Sequence, residues 1–378
     1  MIRHILITGG AGFIGSNLSL ALLAKGHKVR VLDSLATQIH GKKEMTSSLY
    51  QSIAGKVDFI RGDVTSRQDL FNAMKGVDTI VHLAAETGTG QSMYAISRYV
   101  SVNVGGTALM LDLIANEKLS IQRIVIASSR AIYGEGKYQC QEHGVCFPTE
   151  RTEERMSRGE FEPVCPLCFR TVEMLLTDEN SALHPTSVYG VTKLTQEQLV
   201  MSVGKAIGIS TIACRYQNVY GPGQSLSNPY TGILSIFSTR IRNGREINIF
   251  EDGLESRDFV YISDVVEATI AGIECPDPIT DSFNVGSGKG TDVLTVANLL
   301  LSHFGGDSEI KVSGQYRAGD IRHNVADNSK ILRILGYSPK VTIEEGLLHF
   351  VKWVKGECIE ADLYEESIKE MRRRGLFK

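Results

Sequence analysis

Tyr189-Gly-Val-Thr-Lys193 sets a phenol and an ammonium four residues apart, which on a helix places both on one face. Such a pair suits removal of a proton from an alcohol. A free phenol titrates near pH 10, too high for a base at neutral pH. A cation about 5 Å away, at an effective dielectric near 20, would favour the phenolate by about 3 kcal/mol. Ser129 ends the apolar run that starts at Arg123. Its hydroxyl can hydrogen-bond a reacting oxygen and pass polarity to Tyr189. Ser129, Tyr189 and Lys193 are therefore the candidate catalytic residues. Tyr-x-x-x-Lys is common on helices, so its meaning depends on the elements around it.

The first of those elements is a glycine turn. Ile5–Ile7 reads as a buried strand and Asn17–Lys25 as a helix that stops at Gly26. Between them lie Gly9, Gly12 and Gly15, with Phe13 and Ile14 in the turn. Strand, glycine turn and helix set a pyrophosphate on backbone N–H groups at a helix N-terminus. A second strand, Lys28–Leu32, ends at Asp33. A carboxylate there accepts from ribose hydroxyls and repels a 2′-phosphate, and no Arg or Lys follows until Lys42. The expected cofactor is NAD rather than NADP.

Strands and helices alternate through the first half: strands at Val57–Val64, Thr79–Ala85, Arg123–Ser129 and Ser210–Arg215, helices at about 94–117 and 189–204. Thr37–Gly55 is polar, and Met371–Arg374 reads as a solvated helix end. The pattern predicts an α/β, Rossmann-type doubly wound parallel sheet with a smaller C-terminal α/β lobe. The expected division is 1–215 for the dinucleotide-binding domain, with a cysteine-rich insertion at 137–181. Residues 216–378 would form mainly the substrate lobe, with about 258–275 returning to the first domain. A net charge of −3 gives no reason to expect nucleic-acid binding. No long apolar run predicts a membrane span, and no leader pattern opens the chain, so a cytoplasmic protein with reduced cysteines is expected.

Taken together, these motifs resemble the extended short-chain dehydrogenase/reductases, in particular the NAD-dependent sugar epimerase/dehydratase family. The matching residues are Thr8–Ser16, Gly62-Asp63-Val64, His82-Leu83-Ala84-Ala85, Asn103–Thr107, Ser128-Ser129 with Tyr133-Gly134, and Tyr189–Lys193. Arg215–Pro222, Arg257–Tyr261, Phe283–Gly286 and Arg317-Ala318-Gly319-Asp320 match as well. The resemblance implies that Asp63 and Val64 lie against adenine and that Leu83, Ala84, Ala85 and Asn103 line the cofactor cleft. It implies Tyr189 as base and Lys193 as a ribose contact. It brings Asn218, Arg257 and Arg317 to the diphosphate of a nucleotide sugar, which suits the planar guanidinium. A homodimer through the 94–117 and 189–204 helices is also implied.

Dehydratases of that family carry an Asp-Glu pair after the catalytic hydroxyl residue. Here Ser129 is followed by Arg130-Ala131, so elimination of water lacks its acid and base. The expected reaction is 4-epimerisation of a nucleotide sugar, by transient oxidation at C4 and re-reduction. Glu86–Tyr94, with Thr87, should border the sugar. This segment and Arg130–Gly136 look similar to bacterial dTDP-L-rhamnose 4-epimerases, so conversion of dTDP-L-rhamnose to dTDP-6-deoxy-L-talose is the first expectation. A UDP-hexose is next, then another NAD-dependent nucleotide-sugar oxidoreductase or dehydratase. A non-catalytic NAD sensor on the same fold would tend to lose Tyr189 or Lys193, and both are kept.

Between Ser129 and Tyr189 lie 59 residues, about twice what relatives commonly have, and four of the seven cysteines fall there within 29 residues. Cys140-Gln-Glu-His143-Gly and Cys165-Pro-Leu-Cys168 are similar to the halves of a zinc knuckle, with spacings that suit tetrahedral zinc. The expected ligands are Cys140, His143, Cys165 and Cys168, with Cys146 as the substitute. A filled shell of four would be structural, and would order a segment whose middle, Glu150–Glu162, is charged and poor in apolar residues.

Overall fold

The computed structural model describes residues 2–226, 228, 232–317, 319–359 and 362–378. Ala318, in one of the motifs above, lies outside them. The strands of the main sheet are β1 (His4–Thr8), β2 (Lys28–Asp33), β3 (Asp58–Arg61), β4 (Thr79–His82), β5 (Arg123–Ser129), β6 (Ser210–Tyr216) and β7 (Thr280–Val285). They are all parallel, in the order β7-β6-β5-β4-β1-β2-β3. The chain reverses direction across the sheet between β1 and β4, which opens the ligand crevice of such folds at their C-terminal ends.

The strands are apolar on both faces because helices cover both. Ile5 and Ile7 of β1 pack with Leu18 and Leu22 of α1 (Phe13–Ala24), whereas Leu6 between them packs with Ile80 and Met110 on the opposite layer. That opposite layer includes α2 (Gly106–Asn116) and α3 (Val188–Ile207). The α3 helix starts where Ser187 Oγ accepts from Gly190 N, 3.1 Å, and stops at Gly208 in the left-handed conformation. The helical stretch expected over about 94–117 runs without interruption from Ile96 to Asn116, but it widens into a π-helical turn at Val100–Gly105 between Ile96–Tyr99 and α2. The extra residue of that turn rotates Asn103 inward.

The second lobe has its own core, with Phe237, Ile247, Val296, Leu300, Leu347 and Phe350 buried together. Its edge facing the main sheet is built from short strands at Asn218–Tyr220, Ser256–Tyr261, Gly290–Asp292 and His323–Asn324. Asp258 holds these together by accepting from Ser287 N (2.6 Å), Gly288 N (3.0 Å) and Ala326 N (3.2 Å). The chain returns to the first domain over a longer stretch than 258–275. After α4 (Ile262–Glu274) packs against α1, Thr280–Val285 becomes the seventh strand of the sheet. The polar start of that strand, Thr280-Asp281-Ser282, lies at the sheet's edge, where polar residues are tolerated. The last helix, Tyr364–Arg373, is solvated only on one face: Arg372 and Arg373 are exposed, but Met371 is buried with Tyr364, Ile368 and Phe377.

Candidate active site

A cleft of about 620 Å³ runs between the two lobes over the C-terminal ends of the strands. At one end is the glycine turn. Gly12 caps α1 without any side-chain cap, and no acidic residue occupies the first turn, so its leading N–H groups face the cleft without a side-chain partner. Gly9 has φ of +70°, and a Cβ at Gly15 would run into the Gly9 carbonyl oxygen. A Cβ at Gly9 would meet the Ala84 backbone, so these glycines let the turn, the helix start and the segment after β4 approach closely enough to shape a pyrophosphate cradle. Asp33 stands beside it. Its Oδ2 accepts from Ala11 N at 2.9 Å and its Oδ1 from Leu35 N at 2.8 Å, so its carboxylate also pins the turn. No motif or spacing marked His40, which is buried 3.9 Å from Asp33 and lines the same end. Asp63, Val64, Leu83, Ala84 and Ala85 border the cleft with Phe13 and Ile14. Asn103 does not. It is fully buried behind the wall, where its Oδ1 accepts from Glu86 N (2.7 Å) and its Nδ2 donates to Thr192 Oγ1 (3.0 Å). It joins the segment after β4 to α3, and Val102 lines the cleft instead.

Ser129, Tyr189 and Lys193 meet in the middle of the cleft. Ser129 Oγ accepts from Ala131 N at 3.2 Å, and Lys193 Nζ donates to Ala127 O at 2.8 Å. Burial pushes the Tyr189 phenol above its ordinary value, opposed first by the Ser129 hydroxyl and then by the charge of Arg130. Burial also pushes Lys193 down, to about 7. The opposition to the upward push on Tyr189 comes from Ser129 and Arg130, while the Lys193 ammonium donates to the Ala127 carbonyl.

The far end of the cleft is cationic. Arg130, pushed down to about 10 by burial and then by Arg257, donates to Asn218 Oδ1 at 2.6 Å. Arg257 donates only to backbone carbonyls: Ser256 O (3.0 Å), Arg322 O (2.7 Å) and Ile321 O (2.6 Å). Among the described residues neither guanidinium forms an ion pair with a carboxylate, an arrangement suited to receive an anion. Arg317 lines the same wall but is paired with Asp320 at 2.8 Å. Glu86, Thr87, Gly88 and Thr89 border the cleft, and Thr89–Ser92 forms a short helix whose later residues do not line it. Glu255 had no sequence signal. Burial pushes its carboxyl up to about 7, and its Oε2 finds no hydrogen bond among the described residues.

Outside the cleft, the insertion folds into a three-stranded antiparallel sheet of Tyr138–Cys140, Gly144–Cys146 and Glu173–Met174. Cys140, His143, Cys165 and Cys168 converge there, with one ligand atom from each within 4.8 Å of the others. Cys146 is buried alongside but is not one of those four.

Residues 5–153 and 171–286 match the NAD dependent epimerase/dehydratase family. The chain belongs to that family. As a member it is an NAD-dependent enzyme of the epimerase/dehydratase kind, on the fold expected for it. It is 37% identical over 358 residues to a dTDP-L-rhamnose 4-epimerase of Burkholderia thailandensis, spanning 94% of this chain and 96% of that one. It is 29% identical to a putative UDP-glucose 4-epimerase of Methanocaldococcus jannaschii, over 93% of this chain and 98% of the other. Among solved structures, the UDP-glucuronic acid 4-epimerase of Bacillus cereus, in complex with UDP-glucuronic acid and NAD, superposes with a TM-score of 0.76 at 26% identity, covering 93% and 99%. This family member contains no helix, among the described residues, long and apolar enough to cross a membrane.

Proposed function

We propose that the protein is a nucleotide-sugar 4-epimerase that keeps its NAD through each turnover and acts on dTDP-L-rhamnose. The observation that carries this reading is a single cleft lined by Ser129, Tyr189 and Lys193 together with an uncapped glycine-turn helix and the guanidiniums of Arg130 and Arg257, which lack carboxylate partners among the described residues. Gly9, Gly12, Gly15 and the α1 N–H groups would hold the pyrophosphate of NAD, Asp33 a ribose, and Val64, Leu83, Ala84 and Ala85 the rings and linkers between. NAD would supply the hydride acceptor and donor at the sugar carbon. Tyr189 takes and returns the proton of the C4 hydroxyl, Ser129 aligns that oxygen, and Lys193 holds a ribose hydroxyl. Arg257 and Asn218, with Arg130 between them, hold the substrate's diphosphate and sugar, and Arg317 joins them if its pair with Asp320 opens.

The segment after Ser129 carries no acid pair, which argues against dehydration. The B. thailandensis relative supports the rhamnose nucleotide, and the small residues Thr87, Gly88 and Thr89 leave room for a sugar to turn. A UDP-hexose is the second reading, favoured by the M. jannaschii relative. The test incubates purified protein with dTDP-L-rhamnose or UDP-galactose and separates products by anion-exchange chromatography, with NAD measured in the denatured protein. A C4 epimer of dTDP-L-rhamnose and NAD near one equivalent are expected. Conversion of UDP-galactose alone would replace the substrate, and no conversion of either would overturn the epimerase.

A further inference from the structure

The insertion at 137–181 brings together four side chains of metal-ligating type that the epimerase chemistry does not use. Two tight turns build it. The strands Tyr138–Cys140 and Gly144–Cys146 pair with Cys140 opposite Gly144, and Gly144 has φ of +72°, so His143 folds back onto Cys140. Around the second pair, Phe169 N donates to Cys165 O and Cys165 N to Arg170 O, both at 2.9 Å, which curls Cys168 back onto Cys165.

Tetrahedral zinc, with Zn–S near 2.3 Å and Zn–N near 2.0–2.1 Å, requires S···S edges of about 3.8 Å and S···N edges of about 3.6 Å. The observed Cys140 Sγ to Cys168 Sγ distance is 3.7 Å, Cys140 Sγ to His143 Nδ1 is 3.7 Å and Cys165 Sγ to His143 Nδ1 is 3.5 Å. All seven cysteines are free thiols, so no disulfide holds these turns. The insertion's core is Tyr138, Cys140, Cys146, Cys165 and Val172, mostly cysteine and too small to be stable by burial alone. Residues 154–170, which include Cys165 and Cys168, fall outside the family match, so the site is an addition to the shared fold.

We propose that Cys140, His143, Cys165 and Cys168 hold one structural zinc ion, and that this ion fixes the insertion as a brace for the substrate-binding arginines. The brace runs through polar contacts of Arg151 and Glu162, the first buried and the second partly exposed. Arg151 donates to Glu251 Oε2 and to Asp320 O, each at 2.8 Å. Glu162 pairs with Arg322 at 2.7 Å and with His323 at 3.2 Å. The segment so held, 320–323, supplies the Ile321 and Arg322 carbonyls that hold Arg257 and the Asp320 carboxylate that pairs with Arg317. The glycine turn lies at the other end of the cleft and shares none of these contacts.

The experiment measures zinc by mass spectrometry in untagged protein, then follows hydrogen–deuterium exchange with and without removal of the metal. Zinc near one equivalent is expected, falling to below about 0.2 in Cys165→Ser and Cys168→Ser. Exchange across 314–326 should rise at least about twofold on metal loss while residues 5–33 stay unchanged. If the variants do not fold, a thiol-specific chelator applied to the wild type, with zinc added back, makes the same comparison. Folded wild type without zinc, and without a melting shift on adding it, would overturn the site. Zinc loss without faster exchange at 314–326 would overturn the brace. Neither readout depends on which sugar is the substrate.

Discussion

Tyr189 is held by contacts that survive removal of its hydroxyl. Its ring packs edge-on against Tyr99, with centroids 6.5 Å apart and planes at 87°. Tyr189→Phe should therefore fold and retain NAD, while kcat falls by about 10²–10⁴-fold for want of the base. Unchanged turnover in a product assay would remove Tyr189 from that role. Ser129 acts on the same phenol from outside: its hydroxyl is the largest influence opposing the upward push of burial. Ser129→Ala should then raise the phenol further. The basic form becomes scarcer at neutral pH, so activity should drop most at pH 7 and recover partly as pH rises, moving the acidic limb of the rate profile upward. A uniform loss at every pH would mean that Ser129 orients the sugar without tuning Tyr189.

At the scale of elements, apolar runs announced the parallel strands, and glycines and Asp33 announced the cofactor end of the cleft. What stayed illegible depends on contacts between distant segments. Asn103 matched a motif, yet the π-helical turn over Val100–Gly105 aims it into the wall. Glu255 looked like any surface acid until burial next to Arg257 gave it a place. His82 was legible as the end of a strand and the start of a motif, with no sign of its partners. It proves to be a buried bridge between β1 and α2, with Nδ1 2.8 Å from Thr8 Oγ1 and Nε2 3.0 Å from Thr107 Oγ1. Burial, and then Lys193, push it down to about 3. Folding thus excludes a proton that the unfolded chain accepts below pH 6.5, so stability is lost as pH falls from 6.5 toward 3, by about 1.4 kcal/mol per unit. His40, also depressed by burial, acts in the same direction. His82→Gln keeps a donor and an acceptor and should flatten this slope by one proton, leaving the His40 share. Urea midpoints at pH 7.5 and 5.5 measure it, and equal slopes in both proteins would remove His82 as the source.

The whole molecule places its reacting groups where three parts meet: the sheet brings Ser129, α3 brings Tyr189 and Lys193, and the second lobe brings Arg257 and Arg317. The α3 helix needs support on its outer side as well. There Met93, Ile96, Val100 and Val191 are exposed, the first three on the helical stretch that packs beside α3 and the last two residues beyond Tyr189. Exposed apolar residues grouped in this way are the signature of an association surface. We infer that two copies pair through these helices, each steadying the other's α3. Charges placed there would be buried without partners in a dimer and solvated in a monomer, at a cost of several kcal/mol to association. Ile96→Glu with Val191→Glu should therefore give a monomer in sedimentation velocity, with an unchanged far-ultraviolet spectrum. If dimer contact steadies α3, kcat should fall along with the dimer fraction as wild-type protein is diluted. A wild type that sediments as a monomer at every concentration would remove the interface, and with it this support for Tyr189.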